Sequence, residues 1–160
     1  MWWMKTLLSL VGATMLGVLS AGHAATIDLP VYGFEIEALE APVGQAPVSA
    51  LMTFLPVSDS FGPNINVQIQ PFAGTMADYV GVSKGQFSQM KWTVVSENMV
   101  GDDGWVVEYT GSMQGRDLHF YARAYAKNGK VYLATGVTTE TQWPTLGATI
   151  RKHVDSFKLK

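Results

Sequence analysis

The sequence predicts an α+β fold around a central antiparallel sheet, with a C-terminal packing helix. Several segments alternate apolar and polar residues as strands do, and two segments carry apolar residues at helical spacing. Tight-turn pairs such as Asn128-Gly129 join consecutive strands in the second half of the chain. The predicted order is strands, one helix, a four-strand meander and a last helix, which favours a sheet packed by helices.

Composition limits the class of protein. The chain has 160 residues, of which 48% are hydrophobic and 15% charged, and this suits one folded domain rather than a disordered chain. The formal net charge of −2 provides no basic surface for nucleic acid and no strong attraction to a membrane surface. Because the sequence contains no cysteine, it excludes disulfides, thiolate metal sites, cysteine nucleophiles and an acylated cysteine.

The first 24 residues have the pattern of a secretory signal peptide. Lys5 precedes an apolar run from Leu7 to Leu19, and small residues follow up to Ala24. This run of about 13 residues is too short for the ~30 Å hydrocarbon core of a bilayer. We therefore expect cleavage near Ala24, a single domain over residues 26–160, and a soluble periplasmic or secreted product without stable membrane insertion.

Strands are predicted in the first part of the mature chain. Residues 27–39 begin extended, and residues 49–55 form a second candidate strand that ends at a proline. Residues 64–70 alternate most clearly, with three aliphatic residues on one face and four amide side chains on the other. Residues 56–63 between these strands have the composition of a loop.

A helix is predicted from Thr75 to Met90. Asp78 stands three residues after Thr75, as in a capping box. The apolar stripe of this helix consists of Met76, Tyr79, Val80, Ser83, Phe87 and Met90. Gly81 and Gly85 each cost up to ~1 kcal/mol relative to alanine, so we expect packing to hold the helix, with a break near Gly85 allowed.

Four antiparallel strands are predicted between Trp92 and Thr138. Asn128-Gly129 is the strongest turn signal, because a type I′ hairpin needs positive φ at both positions, and Gln114-Gly115 and Asp102-Asp103 are weaker ones. Two-residue loops fix the register. One face then carries the pairs Tyr109 with Phe120, Ala124 with Leu133 and Ala126 with Val131. The other face carries Thr110 with His119, Glu108 with Tyr121, Arg123 with Ala134 and Tyr125 with Tyr132.

A last helix is predicted over residues 140–157, with Pro144 in its first turn. Its apolar stripe consists of Leu146, Ile150, Val154 and Phe157. Because the alanines at positions 122, 124 and 126 are small, we expect this helix to cover their face of the sheet. The helix that begins at Thr75 is then expected to cover part of the opposite, polar face.

Several segments carry a family resemblance through their order and spacing. They are Tyr32-Gly33-Phe34, residues 63–70, Met76-Ala77-Asp78-Tyr79, and the closing stretch from Tyr132 to Phe157. Together they resemble the PsbP-like superfamily, which includes DcrB-like bacterial envelope proteins. The resemblance implies an α/β/α sandwich with an antiparallel sheet, and since members serve unrelated roles it assigns no activity. The chain departs from the DcrB type in having no lipobox cysteine.

One motif suggests a hydrolase. Residues 81–85 match the G-x-S-x-G pattern around Ser83, and Asp102, Asp117, His119 and His153 follow in the order of such enzymes. A nucleophile elbow lies on a sharp turn between a strand and a helix, whereas Ser83 falls inside an amphipathic helix. We therefore expect Ser83 to pack within the helix, and we expect the protein not to be an enzyme.

No cofactor or metal is expected from the sequence. His119 and His153 lack the i, i+4 spacing of a metal-binding pair. Asp102 and Asp103 are interpreted as a polar hairpin turn, because the rest of a calcium-binding loop is missing.

The predicted register places six polar or aromatic residues on one face of the sheet, and these are the candidate binding residues: Glu108, His119, Tyr121, Arg123, Tyr125 and Tyr132. Arg123 would be the bidentate anchor for an acidic group of a ligand or partner. The alternative is an ordinary amphipathic face with packed stems and solvated heads. Tyr121 and Tyr125 do not indicate nucleic acid, because a basic groove is missing.

The sequence therefore favours a non-catalytic envelope protein that binds another protein or supports its assembly. The expected partner is an envelope protein, and nucleic acid is not expected. Two alternatives stay open: a small-ligand carrier that uses the polar face around Arg123, and a hydrolase that uses Ser83.

Overall fold

The computed structural model describes residues 26–30, 33–37 and 47–160. They belong to two units, Met1–Glu40 and Ala41–Lys160. The predicted signal peptide of residues 1–24 lies outside the described residues, so the leader and the single domain over residues 26–160 stay predictions.

The described residues of the first unit form a two-stranded antiparallel ribbon, β1 (Thr26–Leu29) and β2 (Phe34–Glu37). The Gly33 N–H donates to the Pro30 carbonyl at 3.2 Å, and Gly33 has a φ of 72°, which glycine adopts without strain. The sequence predicted one strand over residues 27–39. This turn divides that segment into two short strands, and the part after Glu37 lies outside the described residues.

The second unit contains a six-stranded sheet with a helix on each face. The strands are β3 (Val48–Phe54), β4 (Asn64–Pro71), β5 (Thr93–Val100), β6 (Gly104–Met113), β7 (Arg116–Lys127) and β8 (Lys130–Thr139), and the helices are α1 (Met76–Gln89) and α2 (Trp143–Asp155). The strand order is β3-β4-β8-β7-β6-β5, and every neighbouring pair is antiparallel. The predicted α/β/α sandwich is confirmed.

The turns of the meander determine its register. Asn128 and Gly129 have φ angles of 53° and 69°, and Gln114 and Gly115 have 55° and 76°, as type I′ turns require. All seven predicted cross-strand pairs between β6, β7 and β8 are confirmed. The turn between β5 and β6 has three residues instead of two, since Val100 pairs with Gly104.

Helix α1 begins with the predicted capping box. The Thr75 hydroxyl accepts from the Asp78 N–H at 3.2 Å, and the Asp78 carboxylate accepts from the Thr75 N–H at 2.9 Å. The Thr75 hydroxyl also donates to the Asp78 carboxylate at 2.6 Å, and this hydrogen bond, together with the one from the Thr75 N–H, lowers the pKa of Asp78. The helix continues past Gly85 without a break. A Cβ atom at Gly81 or Gly85 would meet nothing within 4 Å, so packing does not require either glycine.

The two helices cover the faces opposite to those predicted. Helix α1, and not α2, lies over the face that carries Ala122 and Ala124, and its Met76, Tyr79 and Phe87 join the main hydrophobic core there. The side chains of β6 and β7 on this face include stacked rings, with Tyr109 and Phe120 at a centroid distance of 4.6 Å. This aromatic layer lies beside the small alanines on the same face.

Helix α2 covers the other face, next to Ala134 and Gly136 of β8. Ile150 and Val154 are fully buried, whereas Leu146 is only half-buried. A Cβ atom at Gly136 would overlap the Cγ2 atom of Ile150 and lie 3.2 Å from the Cγ2 atom of Val154. The glycine of β8, rather than the alanines of β7, therefore allows α2 to approach the sheet closely.

Candidate functional site

The six residues predicted as a binding site lie on the face of the sheet that α2 covers. Strands β6, β7 and β8 carry them, with Glu108 opposite Tyr121 and Tyr125 opposite Tyr132. The structure therefore brings the six together as predicted. However, residues of α2 and of the segment before it contact four of them, so much of this face is used within the chain.

Five residues at this face form a compact polar cluster, which we call the α2 clasp: Glu108, His119, Glu140, Trp143 and Arg151. Glu108 and His119 are only 6% and 5% exposed. The His119 Nε2 atom lies 2.8 Å from Glu108 Oε1, and an Arg151 guanidinium N–H donates to Glu108 Oε2 at 2.6 Å. Because a buried carboxyl group is costly unless it is hydrogen-bonded, these two contacts offset the cost of burying Glu108.

The His119 ring is also held on its other side. Its Nδ1 atom lies 3.2 Å from Glu140 Oε1, and Trp143 stacks on it with a centroid distance of 3.8 Å. An imidazolium can donate to both carboxylates, whereas a neutral ring can donate to only one. Through Trp143 and Arg151, the α2 clasp joins the centre of the sheet to the first turn and the middle of α2.

Arg123, the predicted anchor for an acidic group, contacts a carboxylate of α2. Its Nη1 atom lies 3.3 Å from Asp155 Oδ1 at the end of α2, and its Nε–H donates to the Tyr125 hydroxyl at 2.6 Å. Tyr121 also donates to Asp155 Oδ1, at 3.1 Å, and its pKa is raised by burial and by this carboxylate. Asp155 of the same chain thus occupies the anchor expected for an acidic ligand.

The remaining candidate, Tyr132, is half-buried next to Tyr125. A binding role for the six residues stays a prediction. Their observed contacts correspond to the alternative interpretation from the sequence, in which aromatic and guanidinium stems pack and their polar heads bind nearby partners.

The catalytic arrangement suggested by the G-x-S-x-G motif is not assembled. Ser83 is buried in the middle of α1, on the α1 side of the sheet. His119 is on the opposite face against Trp143, and His153 is an exposed residue of α2. Because the sheet separates Ser83 from His119 and Ser83 packs within its helix, neither His119 nor the exposed His153 is placed as its base.

The part of the chain that the structure describes contains no group of three or more histidine, aspartate or glutamate side chains that could hold a metal ion. Asp102 and Asp103 lie in the exposed turn between β5 and β6.

A cleft that was not predicted lies between α1 and the sheet, and we call it the α1 cleft. Its volume is about 350 Å³. Aromatic residues from four segments line it: Phe72, Tyr79, Phe87, Trp92, Trp105 and Tyr109. Ala122 of β7 also lines it. Large rings on β6 next to small residues on β7 were a signal for this cleft. The small residues were instead interpreted as the surface on which the last helix packs.

The α1 cleft is an environment that disfavours charge. Burial raises the pKa of the Tyr79 hydroxyl to about 12, although a hydrogen bond with Ser83 acts in the opposite sense. Burial also raises the pKa of Tyr109, with a further contribution from Tyr79. The Tyr79 hydroxyl donates to Gln70 Oε1 at 3.0 Å. Polar atoms in the cleft are thus neutral at ordinary pH.

A second unpredicted feature is the outer strand of the sheet, which we call the β3 edge (Val48–Phe54). All seven of its residues are exposed. The exposed fraction is 52% for Met52 and 64% for Phe54, and Val57 in the following loop reaches 71%. The segment from Pro47 to Ser58 contains no charged residue. The β3 edge therefore presents uncharged, partly apolar side chains to solvent.

No protein-family model and no curated protein matches the sequence. Among solved structures, the chain is similar to PA94 from Pseudomonas aeruginosa, a protein of unknown function described as a putative regulator. The TM-score is 0.66 and the identity 16%, over 87% of this chain and 99% of that one. This likeness shows a shared fold.

Two other solved structures are similar at lower TM-scores. Cyanobacterial PsbP from Synechocystis sp. PCC 6803 has a TM-score of 0.45 and 18% identity over 91% of this chain and 99% of its own. LpqN, described as involved in cell envelope biogenesis of Mycobacterium tuberculosis, has a TM-score of 0.40 and 13% identity over 74% of this chain and 85% of its own. Neither of these two distant likenesses carries a conclusion about function.

Proposed function

We propose that this protein is a non-catalytic envelope protein, periplasmic or secreted, that acts by binding another polypeptide at the β3 edge. The exposure of this uncharged outer strand is the observation that supports the proposal. An edge strand has unpaired backbone N–H and C=O groups, and natural proteins usually protect such edges with charged residues, proline or a covering element. Within Val48–Phe54 the β3 edge has neither a charged residue nor a proline.

The opposite edge of the same sheet provides a contrast. Strand β5 carries Glu97, which forms an ion pair with Lys84 of α1 at 2.6 Å. A charged, helix-linked edge of this kind opposes the addition of a further strand. The two edges therefore differ in their protection, and β3 is the edge at which an added strand would meet no charge.

The proposed mode of binding is strand addition. A partner segment in extended conformation would hydrogen-bond to the outer backbone of β3, while its apolar side chains pack beside Met52 and Phe54. Because a register shift lies between Ser49 and Leu51, the regular part of the edge is Leu51–Phe54. We expect a partner with a short, uncharged, apolar extended segment.

Site-specific photocrosslinking in the producing cells tests this proposal. A photoreactive phenylalanine analogue replaces Met52 in one variant and Met99 in another. Met99 is the matched control, because it is also an exposed methionine, 43% accessible, in the other edge strand. We expect one discrete adduct from position 52 and none from position 99.

A charge at the same position provides the second measurement. Met52→Lys should abolish the adduct formed from a photoreactive residue at position 54, whereas Met99→Lys should leave it unchanged. Circular dichroism of both variants verifies folding. Equal adducts from both edges, or an adduct that survives Met52→Lys, would contradict strand addition at β3.

The envelope location has its own test, because it depends on the leader. In the part of the chain that the structure describes, no helix is long and apolar enough to cross a membrane. Fractionation of cells followed by N-terminal sequencing should recover a mature chain that begins at Ala25. A cytoplasmic protein that begins at Met1 or Met4 would refute the proposed location.

A further inference from the structure

The α1 cleft has the dimensions of a small-molecule site. Its volume of about 350 Å³ is at the lower end of the range of ~300–1,000 Å³ for such pockets. Protein interiors otherwise contain few voids larger than a water molecule. The space under α1 is therefore larger than ordinary packing defects.

The cleft is accessible from solvent. Among its lining residues, Val82 and Met90 of α1 are 53% and 46% exposed, and Gln86 between them is also exposed. These three residues form its mouth, while Trp105, Val107 and Ala122 are buried at its base. A molecule could enter without unfolding the sheet.

The interior favours flat, apolar molecules. Phe87 and Tyr109 stack with a centroid distance of 4.4 Å, and Phe87 and Trp105 lie nearly parallel at 6.4 Å. Offset stacking of this kind is favourable between aromatic rings. A flat aromatic ligand in the cleft would contact the edges of these rings, because their faces already pack against one another and against Trp92.

The polar groups of the cleft select for neutral molecules. Within the described part of the chain, the residues that line the cleft are aliphatic, aromatic, amide or hydroxyl residues, and none carries a charge. A charged ligand would lose its hydration without gaining a counter-charge. Ser83 and Gln86 can each form a hydrogen bond with one polar group of a ligand.

From the size, aromatic lining and neutrality of the α1 cleft, we propose that it binds a neutral aromatic small molecule that carries one hydrogen-bonding group. This site is distinct from the β3 edge and does not depend on the function proposed there. It also differs from the predicted ligand face around Arg123, which lies on the other side of the sheet.

Fluorescence titration of the purified mature protein with a matched pair of probes tests the proposal. N-phenyl-1-naphthylamine is neutral and aromatic and carries one N–H group. Anilinonaphthalene sulfonate has the same ring system with an added negative charge. We expect saturable 1:1 binding of the neutral probe, with energy transfer from the tryptophans, and at least tenfold weaker binding of the sulfonate.

Variants then locate the bound probe. Ser83→Leu fills the interior of the cleft, and Gln86→Trp closes its mouth. We expect each to weaken binding of the neutral probe at least tenfold. Gln89→Trp is the matched control, because Gln89 is an exposed residue of the same helix that does not line the cleft, and it should bind as the wild type does.

The results that would overturn the proposal are equally defined. They are an absence of saturable binding, equal affinity for the neutral and the sulfonated probe, or neutral-probe binding that Gln86→Trp leaves unchanged. Gln86 is on the surface, so Gln86→Trp should fold even if Ser83→Leu does not. Binding that is lost with Met52→Lys instead would place the probe on the β3 edge and overturn the assignment to the cleft.

Discussion

Replacing Gly136 with alanine should destabilise the protein although alanine suits a strand better than glycine. Gly136 has extended backbone in β8, and in such a position Gly→Ala alone is expected to stabilise by ~0.5–1 kcal/mol. However, the new methyl group would overlap the Cγ2 atom of Ile150. Ile150 is fully buried and β-branched, so it cannot rotate away and α2 must move.

The magnitude follows from these opposing effects. Overpacking a well-packed core costs ~1–3 kcal/mol, and a methyl group that overlaps a buried branch belongs at the upper end of this range. After subtraction of the backbone gain, we expect Gly136→Ala to lower the free energy of unfolding by about 2 kcal/mol. Urea denaturation followed by tryptophan fluorescence and circular dichroism measures this change.

A double-mutant cycle tests the cause. Ile150→Ala removes the overlapping atom and by itself costs ~2–5 kcal/mol. In that background Gly136→Ala should cost nothing or should stabilise slightly, since only the contact with Val154 remains to adjust. If Gly136→Ala is equally destabilising in both backgrounds, or is not destabilising in the wild type, then close approach of α2 is not the reason for the glycine.

Three further predictions concern the charged and polar groups. Glu108→Ala should lower the free energy of unfolding by about 2 kcal/mol, because it removes the hydrogen-bond partner of the buried His119 Nε2 atom, while the Arg151 side chain, 47% exposed, can turn to solvent. Glu97→Ala at the surface should cost less than ~1 kcal/mol, and equal losses in urea denaturation would contradict a stabilising α2 clasp. Thr75→Ala should cost ~1 kcal/mol through loss of the N-cap, and Thr75→Ser should recover most of it, so a serine variant as unstable as the alanine variant would argue against capping. The pKa of Tyr79 is raised from 10.0 to about 12 in the folded state. Between these pH values the folded state keeps a proton that the unfolded chain has lost. The contribution of Tyr79 to the free energy of unfolding is therefore complete below pH 10 and lost between pH 10 and about 12. Tyr79→Phe should therefore reduce the fall in unfolding free energy over that interval, and an unchanged slope would refute the assignment.

The register of the meander could be predicted because it depends on local chemistry. Asn128-Gly129 and Gln114-Gly115 tolerate positive φ angles, so each determines a two-residue turn, and alternation then assigns every side chain to a face. The helix boundaries were also close, since Thr75 and Pro144 mark the two starts. These parts of the fold are encoded within short stretches of sequence.

The choice of which helix covers which face could not be read from alternation. Both helices are amphipathic, and both faces of the sheet offer small residues next to large ones. The predicted position of α2 depended on the alanines of β7 and not on Gly136, although only the glycine allows the contact with Ile150. Closeness of approach is a property of two distant segments, and neither segment alone specifies it.

The sequence predicted which residues share the candidate face, but it did not predict which residues of α2 they contact. The six residues share a face as expected, because register alone determines this. Their contacts with Arg151 and Asp155 depend on the position of α2, which was assigned to the wrong face. The same error concealed the α1 cleft, since the aromatic face was expected to lie beneath a different helix.

The pairing of β4 with β8 has a consequence for how the chain matures. These neighbours are separated by roughly 60 residues along the chain, so bringing them together is entropically more costly than closing the short hairpins from β5 to β8. While the polypeptide is being synthesised, β3 and β4 appear before β8, the strand that pairs with β4. During that interval the nascent β3–β4 ribbon has two open sides, and a product that terminates before Lys130 would never acquire its missing neighbour.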